Sequence, residues 1–469
     1  MHSSSYFFAT TALITTLTPA ALAQSCPTSD EWAATASDRI RYGRAVEIND
    51  GFLAVGDYSA NSYTGRVYLR EWDEGDWSDP QKLDGVGAGE EFGSHVSISD
   101  GWMAISAPEY DNGVVDLYSH NGSIWNFEDS YETGIGYVFN HMDLSYPWLA
   151  VAERSDDYTD LRVKMLRYDA VGYTWSVIET LAMPPDSGSW SFVALDGDLL
   201  LIGLPGADVG ANENCGTVRS YQLNAGTWDS LGYSTMSETD GLYGHLVTVD
   251  ADTNTRAFAQ HGAYHSDTYN DAVLSVDHFN GTSWDSEPIT GSLPWSAESS
   301  QINCVALEGD DLVVVLWSWS MDILDEWSTH HLQRSSGVWY YQGELAPNGA
   351  ETDYPRYVAA MDDGMLVMDG GNATTERVAW VLPPNDCDDT GKADSCEVLL
   401  PGADGNSDSI IDRCACPGDL DFNGDRDGED IVAFLSLWAG ATAAGDLDAD
   451  GEVGVLDLLV ILTQWGDCP

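Results

Sequence analysis

Apolar and polar residues alternate along most of this chain in short runs with a period of two, interrupted by turns of an acidic residue and glycine. Period-two alternation between turn signals predicts β-strands with one face buried. The runs also repeat as a phrase. An aromatic or small residue opens an alternating strand, an acidic turn follows, and a more continuously apolar strand comes next. The phrase reads YGRAVEINDGFLAVGD from Tyr42, FGSHVSISDGWMAISAP from Phe92, FNHMDLSYPWLAVAE from Phe139 and SFVALDGDLLLIGLPG from Ser191. Looser copies begin at Tyr243, Ile302 and Tyr357, giving seven starts spaced 47 to 59 residues apart. A period near fifty with four short strands in each unit predicts propeller blades, each burying its faces against its neighbours.

The second half of each unit is equally regular: an alternating strand, a Gly- or Asn-containing turn and a tryptophan. Trp77, Trp125, Trp175, Trp228, Trp284 and Trp339 occupy this place in six units. A tryptophan at one fixed place per unit reads as blade-to-blade packing. The seventh unit stops at Pro383-Pro384, before any outer hairpin, while DEWAATASD near the N-terminus places Trp32 ahead of the first unit. The expectation is therefore a mainly β, seven-bladed β-propeller over 24–383, closed by its N-terminal strand. Such closure removes the open edges between the first and last blades. Trp317, Trp319 and Trp327 fall outside the repeat and leave two readings, alternate buried positions or a sugar-stacking platform.

The repeats resemble the FG-GAP propellers found in integrin α-subunits. Phe92-Gly93 carries the first element of that motif and Ala107-Pro108 a reduced form of the second. The resemblance implies a recognition or adhesion domain. In that family some blade loops bind calcium through D-x-D-x-D-G-x-x-D. The corresponding loops here, GDYSANSYTG, APEYDNG and AERSDDYTD, lack the glycine, so no calcium is assigned to the propeller.

The strongest chemical signal lies at the C-terminus. Asp419, Asp421, Asn423, Asp427 and Asp430 stand at positions 1, 3, 5, 9 and 12 of a loop that turns at Gly424, with Asp425 at position 7. The spacing returns in Asp446, Asp448, Asp450 and Asp457 around Gly451, with Glu452 at position 7. Calcium is a hard cation that takes six to eight oxygens, and this spacing wraps one chain around it. Position 7 supplies a backbone carbonyl, and Gly454 leaves position 9 of the second loop to water. Each loop runs into an amphipathic helix, one carrying Ile431, Phe434, Leu435 and Trp438, the other Leu458, Ile461, Leu462 and Trp465. Two loop-helix units with aspartate at position 12 resemble dockerin type I modules, small α-helical EF-hand-like units. The resemblance implies about two Ca2+ ions over 416–469 and a cohesin-like or surface protein as partner. A bridge between Cys416 and Cys468, which bracket the module, would contribute on the order of 4 kcal/mol.

Between the two parts, 384–415 carries Asp386, Asp388 and Asp394, then Asp404, Asn406, Asp408 and Asp412, interleaved with cysteines. This stretch resembles thrombospondin type 3 repeats, and two readings stand: further calcium sites or an acidic, disulfide-pinned linker.

Composition then narrows the function. Of 469 residues, 77 are acidic and 18 basic, a net charge of −59, which repels phosphate backbones and excludes nucleic acid as a partner. The run from Tyr6 to Leu22, ending in Ala21-Leu22-Ala23, predicts a signal peptide over 1–23 and hence a secreted or cell-surface protein. No later run is long enough to insert into a membrane. The eight cysteines become disulfide candidates in that compartment. Motifs for a serine nucleophile, a zinc protease or a phosphate loop are missing, and no catalytic residue is assigned. His330 and His331 lie on a predicted strand, facing opposite sides. The reading is a non-catalytic recognition or adhesion scaffold that binds a protein or glycan and is docked through its calcium module. The competing reading is an extracellular polysaccharide-active enzyme of glycoside hydrolase type attached through the same module.

Overall fold

The computed structural model describes residues 30–33, most of 42–382 and scattered positions between 425 and 467. The fold is mainly β and propeller-like. Six four- or five-stranded sheets follow the repeat. The first takes Tyr42–Asn49, Phe52–Asp57 and Arg66–Asp73, with Asp76–Trp77 and Gln81–Asp84 both on its third strand. Pro80 splits that outer edge, because proline has no N–H to continue the ladder. The second runs Val96–Ser99, Trp102–Ala107, Val114–His120, Trp125–Glu132; the third Tyr137–Ser145, Trp148–Ser155, Leu161–Asp169, Thr174–Ala182. The fourth runs Phe192–Asp196, Leu199–Leu204, Thr217–Asn224, Thr227–Thr235; the fifth Tyr243–Asp250, Thr255–Gln260, Val273–Phe279, Trp284–Ser286. The sixth takes Ser300–Glu308, Asp311–Ser318, Glu326–Ser335 and Val338–Leu345, with Ile289–Thr290 parallel to its last strand. In one further sheet Ala359–Asp362, Met365–Gly370 and Val378–Leu382 are joined by Asp30–Ala33, antiparallel with Trp32 opposite Ala379.

The first strand of each sheet touches the first strand of the next, and Ala359–Asp362 touches Tyr42–Asn49, so the succession returns to its start. Packing follows the same order. Each hydrophobic cluster straddles two consecutive sheets. One joins Ala150, Val163 and Met165 to Val193, Leu200 and Ile202, and another joins Val46, Leu53 and Val55 to Ala360 and Val367 across the return. Second strands therefore lie between neighbours on both faces, and Leu199–Leu204 is buried along its whole length. Outermost strands are mostly exposed: in Thr227–Thr235 only Trp228 is buried.

The tryptophans clasp neighbouring sheets. Trp125 meets Phe52 edge-on with ring centres 5.1 Å apart, Trp175 meets Trp102 at 5.5 Å, and Trp228 meets Trp148 at 5.6 Å. Each partner opens the second strand of the preceding sheet, just after its first turn, so one rule of sequence places both rings. Trp77, Trp125, Trp175, Trp228 and Trp339 are buried and Trp284 is half-buried. The aromatic start of the phrase is met by a glycine of the preceding sheet. Gly65 bridges to Phe92 and Gly216 to Tyr243, and a Cβ on either glycine would fall about 2 Å from that residue's carbonyl oxygen. Both have φ near +80°, which only glycine adopts cheaply.

Side chains close the remaining gaps. Gln81 receives the Trp125 N–H at 2.9 Å and donates to its carbonyl at 3.0 Å, satisfying an edge strand from the preceding sheet. Gln81→Ala is expected to cost about 1–2 kcal/mol in urea denaturation, because it strips both bonds from a part-buried backbone. A loss below a few tenths would mean water replaces the amide freely.

Other expectations can be placed. Trp317 is half-buried and pairs in register with Trp327, while Trp319 lies outside the described residues. Cys215 is buried, its thiol 3.6 Å from the Ala207 carbonyl oxygen, and Cys304 is half-buried. The signal peptide 1–23, the segment 384–415, Cys416 and Cys468 lie outside the described residues. No helix among the described residues is long and apolar enough to cross a membrane.

Candidate functional site

The starts of the inner strands carry an aromatic row. His95 lies 5.0 Å from His141, His141 5.5 Å from Phe192, and Phe192 4.9 Å from His245, ring centre to ring centre. These four residues come from the second, third, fourth and fifth sheets in turn. Backbone bulges help to place them: the ladder slips between Phe139 and His141, between Tyr243 and Leu246, and likewise between Tyr42 and Ala45. A bulge re-aims the side chain it carries, here in the first, third and fifth sheets.

Two rings of the row, His95 and His141, are neutral at pH 7. Burial pushes the His95 imidazole down to about 4 and His141 to about 3, the latter also through its neighbour His95. His141 Nδ1 accepts the Val193 N–H at 3.4 Å, and Ser106 Oγ lies 3.4 Å from His95 Nδ1. Neutral imidazoles offer one donor and one acceptor each. His95 and His141 can therefore line a polar, neutral surface.

Beside the row, buried carboxylates tie one sheet to the next. Asp143 accepts from Ser97 Oγ at 2.9 Å and from the Leu195 N–H at 2.7 Å, joining the second, third and fourth sheets. Burial lifts its carboxyl to about 6 against the pull of these bonds. Asp196 accepts from Ala251 N–H at 2.7 Å and Asp250 from Gly309 N–H at 2.5 Å, repeating the device. Glu153, fully buried, receives the Tyr131 hydroxyl and pairs with Arg162 at 2.5 Å. Arg162 also lies 3.3 Å over the Tyr137 ring. That glutamate opens the AERSDDYTD loop, so a guanidinium already neutralises it. Among the described residues no group of three or more histidine, cysteine or carboxylate side chains is arranged to hold a metal ion.

His330 and His331 turn apart as expected. His330 is buried against Ser328 Oγ and the Tyr341 hydroxyl, and His331 bonds Asp311 at 2.7 Å. Burial holds His330 at about 4.

Of the residues assigned to calcium, only Asp425 is among those described. It pairs with Asp467, and Arg426 with Gly466, bringing the chain end alongside the first loop. Asp419, Asp421, Asn423, Asp427, Asp430, Asp446, Asp448, Asp450, Glu452 and Asp457 lie outside the described residues. So do Asp386, Asp388, Asp394, Asp404, Asn406, Asp408 and Asp412. Ile431, Phe434 and Leu435 are helical, as are Leu458 and Leu462, where the two helices are expected, and so are Gly428 and Val455, which fall within the expected loops. Phe434 has no exposed surface and meets Trp438 edge-on at 5.5 Å, while Leu435, Trp438 and Leu462 expose 40 to 55% of theirs. Among the described residues of these stripes, Phe434 is buried, Ile431 and Leu458 are half-buried, and Leu435, Trp438 and Leu462 are exposed.

The histidine row was missed by sequence reasoning, although its signal is plain in FGSH, FNH and YGH. Each histidine follows an aromatic start by two or three residues.

No protein-family model matches the chain, and no curated protein matches it. Solved structures do. The β-propeller domain of the trilobed protease from Pyrococcus furiosus is 10% identical, over 72% of this chain and 93% of that one, with a TM-score of 0.46. The periplasmic gluconolactonase of Pseudomonas aeruginosa is 15% identical, over 70% and 93%, with a TM-score of 0.45. A protein from Lactobacillus plantarum is 13% identical, over 69% and 89%, at 0.47. Likeness at this level concerns fold alone and says nothing of activity.

Proposed function

We propose that this chain is an exported recognition scaffold. In this reading a seven-bladed FG-GAP-like ring, closed by Asp30–Ala33, presents a binding surface, and a C-terminal dockerin-like calcium module docks the ring to a protein partner. The observation that carries the docking half is the outward apolar set Leu435, Trp438 and Leu462 around the buried Phe434. Exposed apolar side chains on short helical segments are suited to be buried against a partner. For the ring half, the support is that the buried carboxylates Asp143, Glu153 and Asp196 are engaged between or within sheets, which makes a stiff platform.

Fractionation of the native host tests the reading. The full chain is expected with the cell envelope in calcium and is expected to be released by a chelator. A chain ending at Ala415 is expected in the medium. Cytoplasmic retention, or an identical distribution of the two chains, would overturn it.

A further inference from the structure

We propose that a cavity on the fourth sheet is a binding site for a single neutral sugar ring. This rests on the recognition reading of the propeller and is independent of the calcium module. The cavity measures about 230 Å3. Its walls include Asp186 and Ser187 from the loop before Phe192–Asp196, and Asp208 from the loop after Leu199–Leu204. Thr217 and Arg219 rise from the third strand, and Tyr233 from the outermost.

Two features point to an occupant. Thr217 is only 4% exposed and its hydroxyl lines the cavity without a hydrogen-bond partner. The Nε of Arg219 is buried and also without one, while the same guanidinium bonds the Tyr221 side chain. Idle buried donors are costly, and a ligand hydroxyl reaching both would satisfy them. The wall is preformed. Asp208 Oδ1 receives the Asn214 N–H at 2.8 Å, the Asp208 N–H bonds Asp186 O at 2.9 Å, and Val209 and Asn212 bond each other.

Charge and size select the ligand class. Two carboxylates and one guanidinium match neither a simple anion nor a simple cation. A polyol, which donates to Asp186 and Asp208 and accepts from Arg219, Thr217 and Ser187, uses all of them. Tyr233 is more than half exposed, with the Arg219 guanidinium 5.5 Å from its ring centre, offering an aromatic surface to the apolar side of a sugar. The volume falls below the roughly 300 Å3 at which pockets begin to enclose drug-sized molecules, so it suits one ring.

Saturation-transfer NMR on the full chain tests this with the methyl glycosides of glucose, galactose, mannose and xylose, and with glucuronate and sulfate as anionic probes. At least one neutral glycoside is expected to bind. Arg219→Gln and Tyr233→Ala are each expected to weaken that binding by about tenfold or more. Thr217→Val is expected to weaken it while raising the thermal midpoint, because valine keeps the shape and removes the idle hydroxyl. Neutral-sugar binding untouched by all three variants would place the glycan site elsewhere, overturning the pocket and leaving the recognition reading intact. Sulfate or glucuronate binding in preference would make this an anion site and overturn the proposal. Binding of no probe would also overturn it, with the recognition reading still judged by fractionation.

Discussion

Replacing Arg256 with methionine is expected to remove about 3–5 kcal/mol of stability, the loss typical when one partner of a buried ion pair is taken away. Arg256 is 2% exposed and reaches Asp277 Oδ2 through Nε at 2.9 Å and Nη2 at 2.5 Å. The same guanidinium donates to Ser220 Oγ at 2.5 Å and Ser234 Oγ at 2.8 Å on the fourth sheet. Its plane lies 4.2 Å from the Trp284 ring centre and 5.0 Å from that of Phe258. One side chain thus ties two sheets, and burial pulls its proton affinity down while the Asp277 charge holds it up. Without it Asp277 is left charged and nearly dry. Arg256→Met with Asp277→Leu is expected to recover most of the loss, since no lone charge remains. Urea denaturation reads both. A single variant costing under about 1 kcal/mol would show that the interface does not depend on this pair.

Removing calcium is expected to have the second large effect, confined to the C-terminal module. Asp419 to Asp430 and Asp446 to Asp457 crowd carboxylates into two short loops in a chain already at −59. Without a cation those charges repel one another, and the small apolar interior around Phe434 is too little to hold the helices alone. Ion binding then becomes folding free energy. At a hundredfold excess over Kd each site would add about 2.7 kcal/mol. Far-UV circular dichroism of the full chain should lose helix in chelator while its β signal stays.

The repeat made much of the fold legible before any coordinates. Tyr42–Asn49 begins where the phrase begins, and the acidic turns at Asp50 and Asp100 fall between paired strands. Trp32 was placed by analogy with the other tryptophans, and its strand does pair with Val378–Leu382. Alternation is a local signal, and these features are local. What stayed hidden depends on distance along the chain. Arg256 lies 21 residues from Asp277 and 36 from Ser220, inside the otherwise apolar strand Thr255–Gln260. The row from His95 to His245 forms only when equivalent positions of four successive sheets come together. The cavity beside Arg219 needs two loops and two strands at once. The outward set Leu435, Trp438 and Leu462 shares its pattern with an interior stripe, so sequence does not tell a docking face from a core.

Calorimetric titration of calcium into the full-length chain tests the central claim most directly. The account predicts saturable binding of at least two ions, one lost in Asp419→Asn and a second when Asp446→Asn is added, together with a gain of helix. No binding at millimolar calcium, or binding that both substitutions leave untouched, would contradict it and remove the basis for a docked scaffold.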